Sequence, residues 1–218
     1  MKRVCVAKEL KIFKEPFAKA VRIVFMLFKL PDFALPKIAF TIAKNKLALA
    51  EMEGVGGYCP SPDFIKISID PDHPKFKKDP VGTVARSLCH ELYHALRFAT
   101  GVSSPNGSLL DCVIDEGLAD QFVFESLGCL PIWNKRLPAR KLGSLMKKLK
   151  KIYSRKINDQ SYSDWFIKGS KNKDIPKWAG YSLGLVLVRS YEKMHGIDSV
   201  LKLVKLPAKA FRILQKIK

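Results

Sequence analysis

Apolar residues recur at helical spacing from Lys8 to Leu30 (Leu10, Phe13, Phe17, Val21, Val24, Leu27, Phe28). Pro16 bends or restarts that helix, and the stretch from Pro31 to Pro36 closes it. Ile38-Ala39-Phe40-Thr41-Ile42 alternates with the period of a strand, and a glycine-rich break at Gly54, Gly56 and Gly57 follows. Phe64 to Asp70 is the clearest strand: β-formers at 64, 65, 67 and 69, a Ser-Pro-Asp turn before it and Asp70-Pro71 after it. Asp79-Pro80 has the form of a helix start, a capping acid followed by proline at the first helical position. That helix is expected to reach Thr100 and stop at Gly101. A second runs from a Ser108 cap to Leu127, with Gly128 as its stop. A very basic helix spans about 139–155, and the last long one begins near Ala179–Gly180 and ends at Gly196. No repeat or long linker divides the chain. The pattern therefore predicts one helix-rich α+β domain over 1–218, its core at about 54–200 and a basic helical tail from 197 to 218.

Composition changes this picture in one respect. Hydrophobic residues make up 47% of the 218, as in an ordinary globular chain, but the net charge is +19. Such an excess attracts nucleic acid, anionic lipid or acidic protein and says nothing about fold. It is densest between Lys135 and Lys177, opposed only by Asp159, Asp164 and Asp174, and in the acid-free tail from Lys202. The five cysteines are widely spaced with no Cys-x-x-Cys pair, so neither a zinc ribbon nor a dithiol redox site is indicated. The apolar run Ile23–Phe28 is too short to span a membrane. Reduced thiols and the lack of a spanning segment point to a cytoplasmic protein.

The chemistry lies in His90-Glu91-Leu92-Tyr93-His94, a His-Glu-x-x-His sequence in the middle of a predicted helix. Residues i and i+4 share a helix face, so both imidazoles reach one ion. Zn²⁺ takes neutral imidazole nitrogens and keeps an open position when the site is catalytic. Glu91 projects beside the metal, where it is placed to take a proton from an activated water. A third protein ligand is required, and Asp111 to Asp120 supplies candidates: Glu116, with Asp115 as its rival. Gly117 and Ala119 are small, as where two helices pack closely. Asp120, one turn beyond Glu116, is placed to hold His90 or His94 by its second ring nitrogen.

His90-Glu91-x-x-His94 followed by Glu116-Gly117-Leu118-Ala119-Asp120 resembles the gluzincin metallopeptidases. More narrowly, Gly56-Gly57-Tyr58, the motif helix, Leu109 to Asp120 and Trp178 to Gly184 resemble a bacterial family of predicted zinc-dependent proteases. The resemblance implies a zincin-like fold with a small, mostly antiparallel sheet above the active-site helix. It also implies that an edge strand holds the peptide substrate by backbone pairing, for which the strand bearing Ile65, Ile67 and Ile69 is the candidate. Tyr181, in a Tyr-x-x-Gly step, matches the tyrosine that some gluzincin aminopeptidases use to stabilise an oxyanion. Leu183 stands where those enzymes carry a lysine. His195 is the backup electrophile, or else a cap at the end of its helix.

The reading is a zinc peptidase acting on a peptide or protein. His90, His94 and Glu116 bind Zn²⁺, Glu91 is the general base, and Tyr181 assists. The alternative is a non-catalytic basic protein that docks on nucleic acid or another anionic surface, its zinc structural or vestigial. Aromatics lie among the lysines, but no nucleic-acid motif organises them.

Overall fold

The structure is a computed structural model, and it describes residues 4–6, 14–27, 36–43, 47–103, 107–134 and 137–211. The parts of the first predicted helix at 8–13 and 28–30, most of its proline-bounded end and the tail beyond 211 lie outside the described residues. The chain forms two compact units, Met1–Ala99 with Ser126–Ile132, and Thr100–Glu125 with Trp133–Lys218.

The first unit holds one sheet and the helices that cover it. Its strands are β1 (Val4–Val6), β2 (Lys37–Ile42), β3 (Val55–Ser61) and β4 (Phe64–Ile69), in the order β1-β2-β4-β3. β1 and β2 are parallel, β2 and β4 are parallel, and only β3 and β4 are antiparallel. The fold is α+β and helix-rich as expected, but the sheet is mixed rather than mostly antiparallel. The reason lies in the connections. Helix α1 (Lys14–Leu27) joins β1 to β2, and such a crossover returns the chain in the same direction. β3 enters at the sheet's edge and turns directly back into β4 through a hairpin.

One sheet face is apolar. Ile38 pairs with Ile65 and Phe40 with Ile67, while Val55 and Gly57 of β3 lie opposite Ile69 and Ile67. Because side chains alternate, all of these share one face, and every one with a side chain is fully buried. Helices α1 and α4 (Pro80–Ala99) pack over it, with Phe17 of α1 stacked on Phe40 at 4.4 Å. Short helices α2 (Leu47–Glu51) and α3 (Pro74–Lys78) complete the unit. The glycine-rich segment expected as a break is strand β3 itself. Its register shifts between Tyr58 and Ser61, around Pro60, which an edge strand tolerates because proline has no N–H to give the ladder.

The second unit is helical: α5 (Leu109–Leu127, its last two residues in the first unit), α6 (Ala139–Ile152), α7 (Asp159–Tyr162) and α8 (Ala179–His195). A π turn at Ser163–Ile167 and a 3₁₀ turn at Val200–Leu203 complete it. Helix α5 starts on a reciprocal cap, the Ser108 hydroxyl accepting from Asp111 N–H while the Asp111 carboxylate accepts from Ser108 N–H at 2.7 Å. It ends before Gly128 at φ +70°. Among the described residues no helix is long and apolar enough to cross a membrane.

An acidic pair, exposed Glu125 and buried Glu192, ties the end of α5 to the C-terminal segment. Glu125 accepts from Val200 N–H at 3.1 Å, from Ser199 Oγ at 3.2 Å and from Gln121 Nε2 at 3.0 Å. Burial first, then the charge and hydrogen bond of Glu125, push the Glu192 carboxyl up to about 7, and the Arg189 cation offsets part of the rise. An acid held above its ordinary value binds more protons folded than unfolded. Its contribution to stability is therefore complete below the ordinary carboxyl range and is lost as pH rises through about 7. Urea unfolding at pH 5 and pH 8 should show wild-type stability falling across that window, and Glu192→Gln should flatten the fall. An unchanged pH dependence in the variant would remove Glu192 as its source.

Candidate metal centre

Helix α4 carries the motif where the sequence placed it. The Asp79 carboxylate caps it by accepting from Gly82 N–H at 2.8 Å, and the helix closes before Gly101 at φ +72°. His90 and His94 lie one turn apart, with ring centroids 4.7 Å apart and planes at 76°. Their Nε2 atoms approach to 3.0 Å. Two nitrogens bound to one tetrahedral zinc at about 2.05 Å would stand about 3.3 Å apart, so the rings already aim at a common point. His90 is buried and His94 half-buried.

Glu91 faces the sheet. A β-carbon on Gly57 would lie 2.7 Å from Glu91 Cδ and closer still to its neighbours in the same side chain. The bare backbone of β3 is thus the surface on which the carboxylate rests. This reassigns the edge strand. β4 is hydrogen-bonded on both sides, and Ile65, Ile67 and Ile69 are each 0% exposed. Its backbone cannot pair with a substrate, because β2 and β3 already occupy it. β3 is the edge strand beside Glu91.

In the second unit, α5 carries Asp115, Glu116 and Asp120, all buried. Asp115 accepts a hydrogen bond from the Ser103 hydroxyl. Asp120 accepts from Trp133 Nε1 at 3.2 Å and from Asn134 Nδ2 at 2.7 Å. Neither donor was found in the sequence, where Trp133-Asn134 belongs to no motif. Gly117 and Gly184 explain each other: a β-carbon on either would strike the other's backbone, so α5 and α8 touch main chain to main chain. Tyr181 sits in the first turn of α8, its ring edge-on to Phe166 at 5.6 Å and tilted against Trp133 at 6.0 Å. His195 is exposed at the far end of that helix, about 21 Å away at 1.5 Å per residue, and packs on Tyr191 at 4.2 Å. His73 caps α3, accepting from Lys75 N–H at 3.2 Å.

One ligand atom from each of His90, His94 and Glu116 lies within 4.8 Å of the others, the one such group of metal-binding side chains among the described residues. Glu116, not its rival Asp115, joins the histidines. Two imidazoles and one carboxylate form a donor set that suits zinc and leaves a fourth tetrahedral position for chemistry. Cys89, beside His90, belongs to the core: burial pushes its thiol up to about 12.

Such a donor set beside a glutamate suits metal-assisted hydrolysis. Residues 13–213 match the family described as "Predicted Zn-dependent protease (DUF2268)", and the chain belongs to that family. No curated protein and no solved structure matches it.

The two kinds of glycine contact separate experimentally. Gly57→Ala meets a flexible side chain that can swing aside, so it should cost about 1 kcal/mol and move the Glu91 carboxyl off β3. Gly184→Ala meets Val113 and Gly117 backbone that cannot, and should cost about 3 kcal/mol or more. Urea denaturation and a crystal structure of Gly57→Ala check both; equal costs, or Glu91 unmoved, would contradict these contacts.

Proposed function

We propose that the chain is a zinc peptidase of the gluzincin type, with His90, His94 and Glu116 as metal ligands. The observation that carries this reading is the convergence of those three side chains, with Glu91 next in sequence to the first of them. Zinc, when bound, supplies Lewis acidity toward water and toward a peptide carbonyl, lowering the pKa of water towards about 7. The protein's own groups do the rest. Glu91 takes a proton from water on its carboxylate and passes it to the leaving amine nitrogen. Asp120 is assigned to orient a ligand imidazole, and the Tyr181 hydroxyl to donate to the developing oxyanion. The substrate backbone is assigned to the outer edge of β3, which no described strand covers and where Gly57 lets Glu91 lie against the strand.

Elemental analysis after dialysis should find about one zinc per chain in the wild type and none in His94→Ala. Glu91→Gln should keep its zinc and lose peptide hydrolysis by a factor of at least about 10². A metal-loaded Glu91→Gln protein that still cleaves peptides would remove the mechanism.

A second role, docking on an anionic partner, is supported by the surface of α6. Leu145 and Leu149 are buried, while Arg140, Lys147 and Lys151 share the opposite, exposed face. Lys148 is already occupied by Asp174 at 2.8 Å. Duplex DNA and phosphatidylserine vesicles should both bind at low salt and release as salt rises, and Lys147→Glu with Lys151→Glu should weaken the binding at least tenfold. No binding at about 50 mM salt would discard this role.

A further inference from the structure

Trp133 and Asn134 grip two elements at once. The Asn134 side-chain amide has two hydrogens and two acceptors: Asp120 Oδ2 at 2.7 Å and the Tyr181 carbonyl at 3.3 Å. Trp133 does the same by other means. Its indole N–H donates to Asp120 Oδ1 at 3.2 Å, and its ring lies against the Tyr181 ring at 6.0 Å. Asp120 is 0% exposed and Trp133 5%, so these bonds form away from competing water, where losing a donor is costly. Phe166 also packs edge-on with the Tyr181 ring, at 5.6 Å.

We propose that Trp133-Asn134 is a positioning clasp that sets Asp120 on α5 and Tyr181 on α8 in one fixed relation. Each carboxylate oxygen of Asp120 accepts one hydrogen bond from the clasp, so both are fixed in direction. The Tyr181 carbonyl also belongs to the first turn of α8, so Asn134 anchors the start of the helix and with it the direction of the phenol ring. A donor misplaced by 1 Å can cost about 10²-fold in rate. The clasp's part in catalysis rests on the peptidase reading above; the clasp itself does not.

Asn134→Asp keeps the shape, removes both donated hydrogens and sets a second carboxylate against Asp120. Asn134→Ala removes the donors without adding charge, and Trp133→Phe keeps the ring while losing only the indole N–H. In each variant, zinc content, kcat and KM for a cleaved peptide, and amide hydrogen exchange in the first turn of α8 are compared with wild type. The expected result for both Asn134 variants is one zinc per chain, KM within about threefold, kcat down about 10–100-fold, and faster exchange at the start of α8. Trp133→Phe should show the same pattern more weakly. Exchange unchanged in all three would overturn the clasp; faster exchange with unchanged kcat would overturn its role in catalysis. Should wild type cleave no peptide, the peptidase reading falls, and the exchange comparison still decides the clasp.

Discussion

A carboxylate leaves water at a cost of several kcal/mol unless donors, cations or a metal replace the solvent, and much of this structure follows from that constraint. Helix α5 buries three carboxylates within two turns, Asp115, Glu116 and Asp120, while α4 buries His90 and Glu91 in succession. Each needs compensation from somewhere specific. Ser103 serves Asp115, and Trp133 with Asn134 serves Asp120. Glu116 lies with the two imidazole nitrogens, the arrangement in which a divalent cation would offset the most charge. A core of this composition makes little sense for packing alone.

The glycines belong to the same account. Burying polar groups at such density requires close approach of backbone to side chain and of backbone to backbone. Gly57 gives the Glu91 carboxyl a surface on the edge strand, and the Gly117–Gly184 pair lets α5 and α8 meet without intervening side chains. Gly117 sits between Glu116 and Leu118 because the helix face next to the carboxylate is the one pressed against α8. The absence of a side chain at Gly117, beside Glu116, is therefore a structural consequence of the close approach to Gly184.

How much could be read from sequence divides along physical lines. Local signals were legible: Asp79-Pro80 and Gly101 bound α4, Ser108 and Gly128 bound α5, and Gly196 at φ +64° ends α8. The His pair was legible because its meaning depends only on helical periodicity. Strand order was not. The hydrophobic pattern made β4 the clearest strand, yet such a pattern marks a strand well inside the sheet, and pairing with both β2 and β3 leaves its backbone no open edge. β3 escaped notice because Gly56, Gly57 and Pro60 have poor strand propensity, the composition of an edge that must leave room for Glu91. Trp133 and Asn134 were invisible because their partners stand 13 and 47 positions away, beyond the reach of any local pattern.

The central claim is that two imidazoles and one carboxylate hold a catalytic zinc, and zinc K-edge X-ray absorption on the reconstituted protein tests it most directly. The account predicts nitrogen and oxygen neighbours only, at about 2.0–2.2 Å, with the imidazole signature of two histidines that falls to one in His90→Ala. A sulfur shell near 2.3 Å would place one of the cysteines on the metal, and a spectrum unaltered by His90→Ala would put the zinc elsewhere. Either result would contradict the assignment.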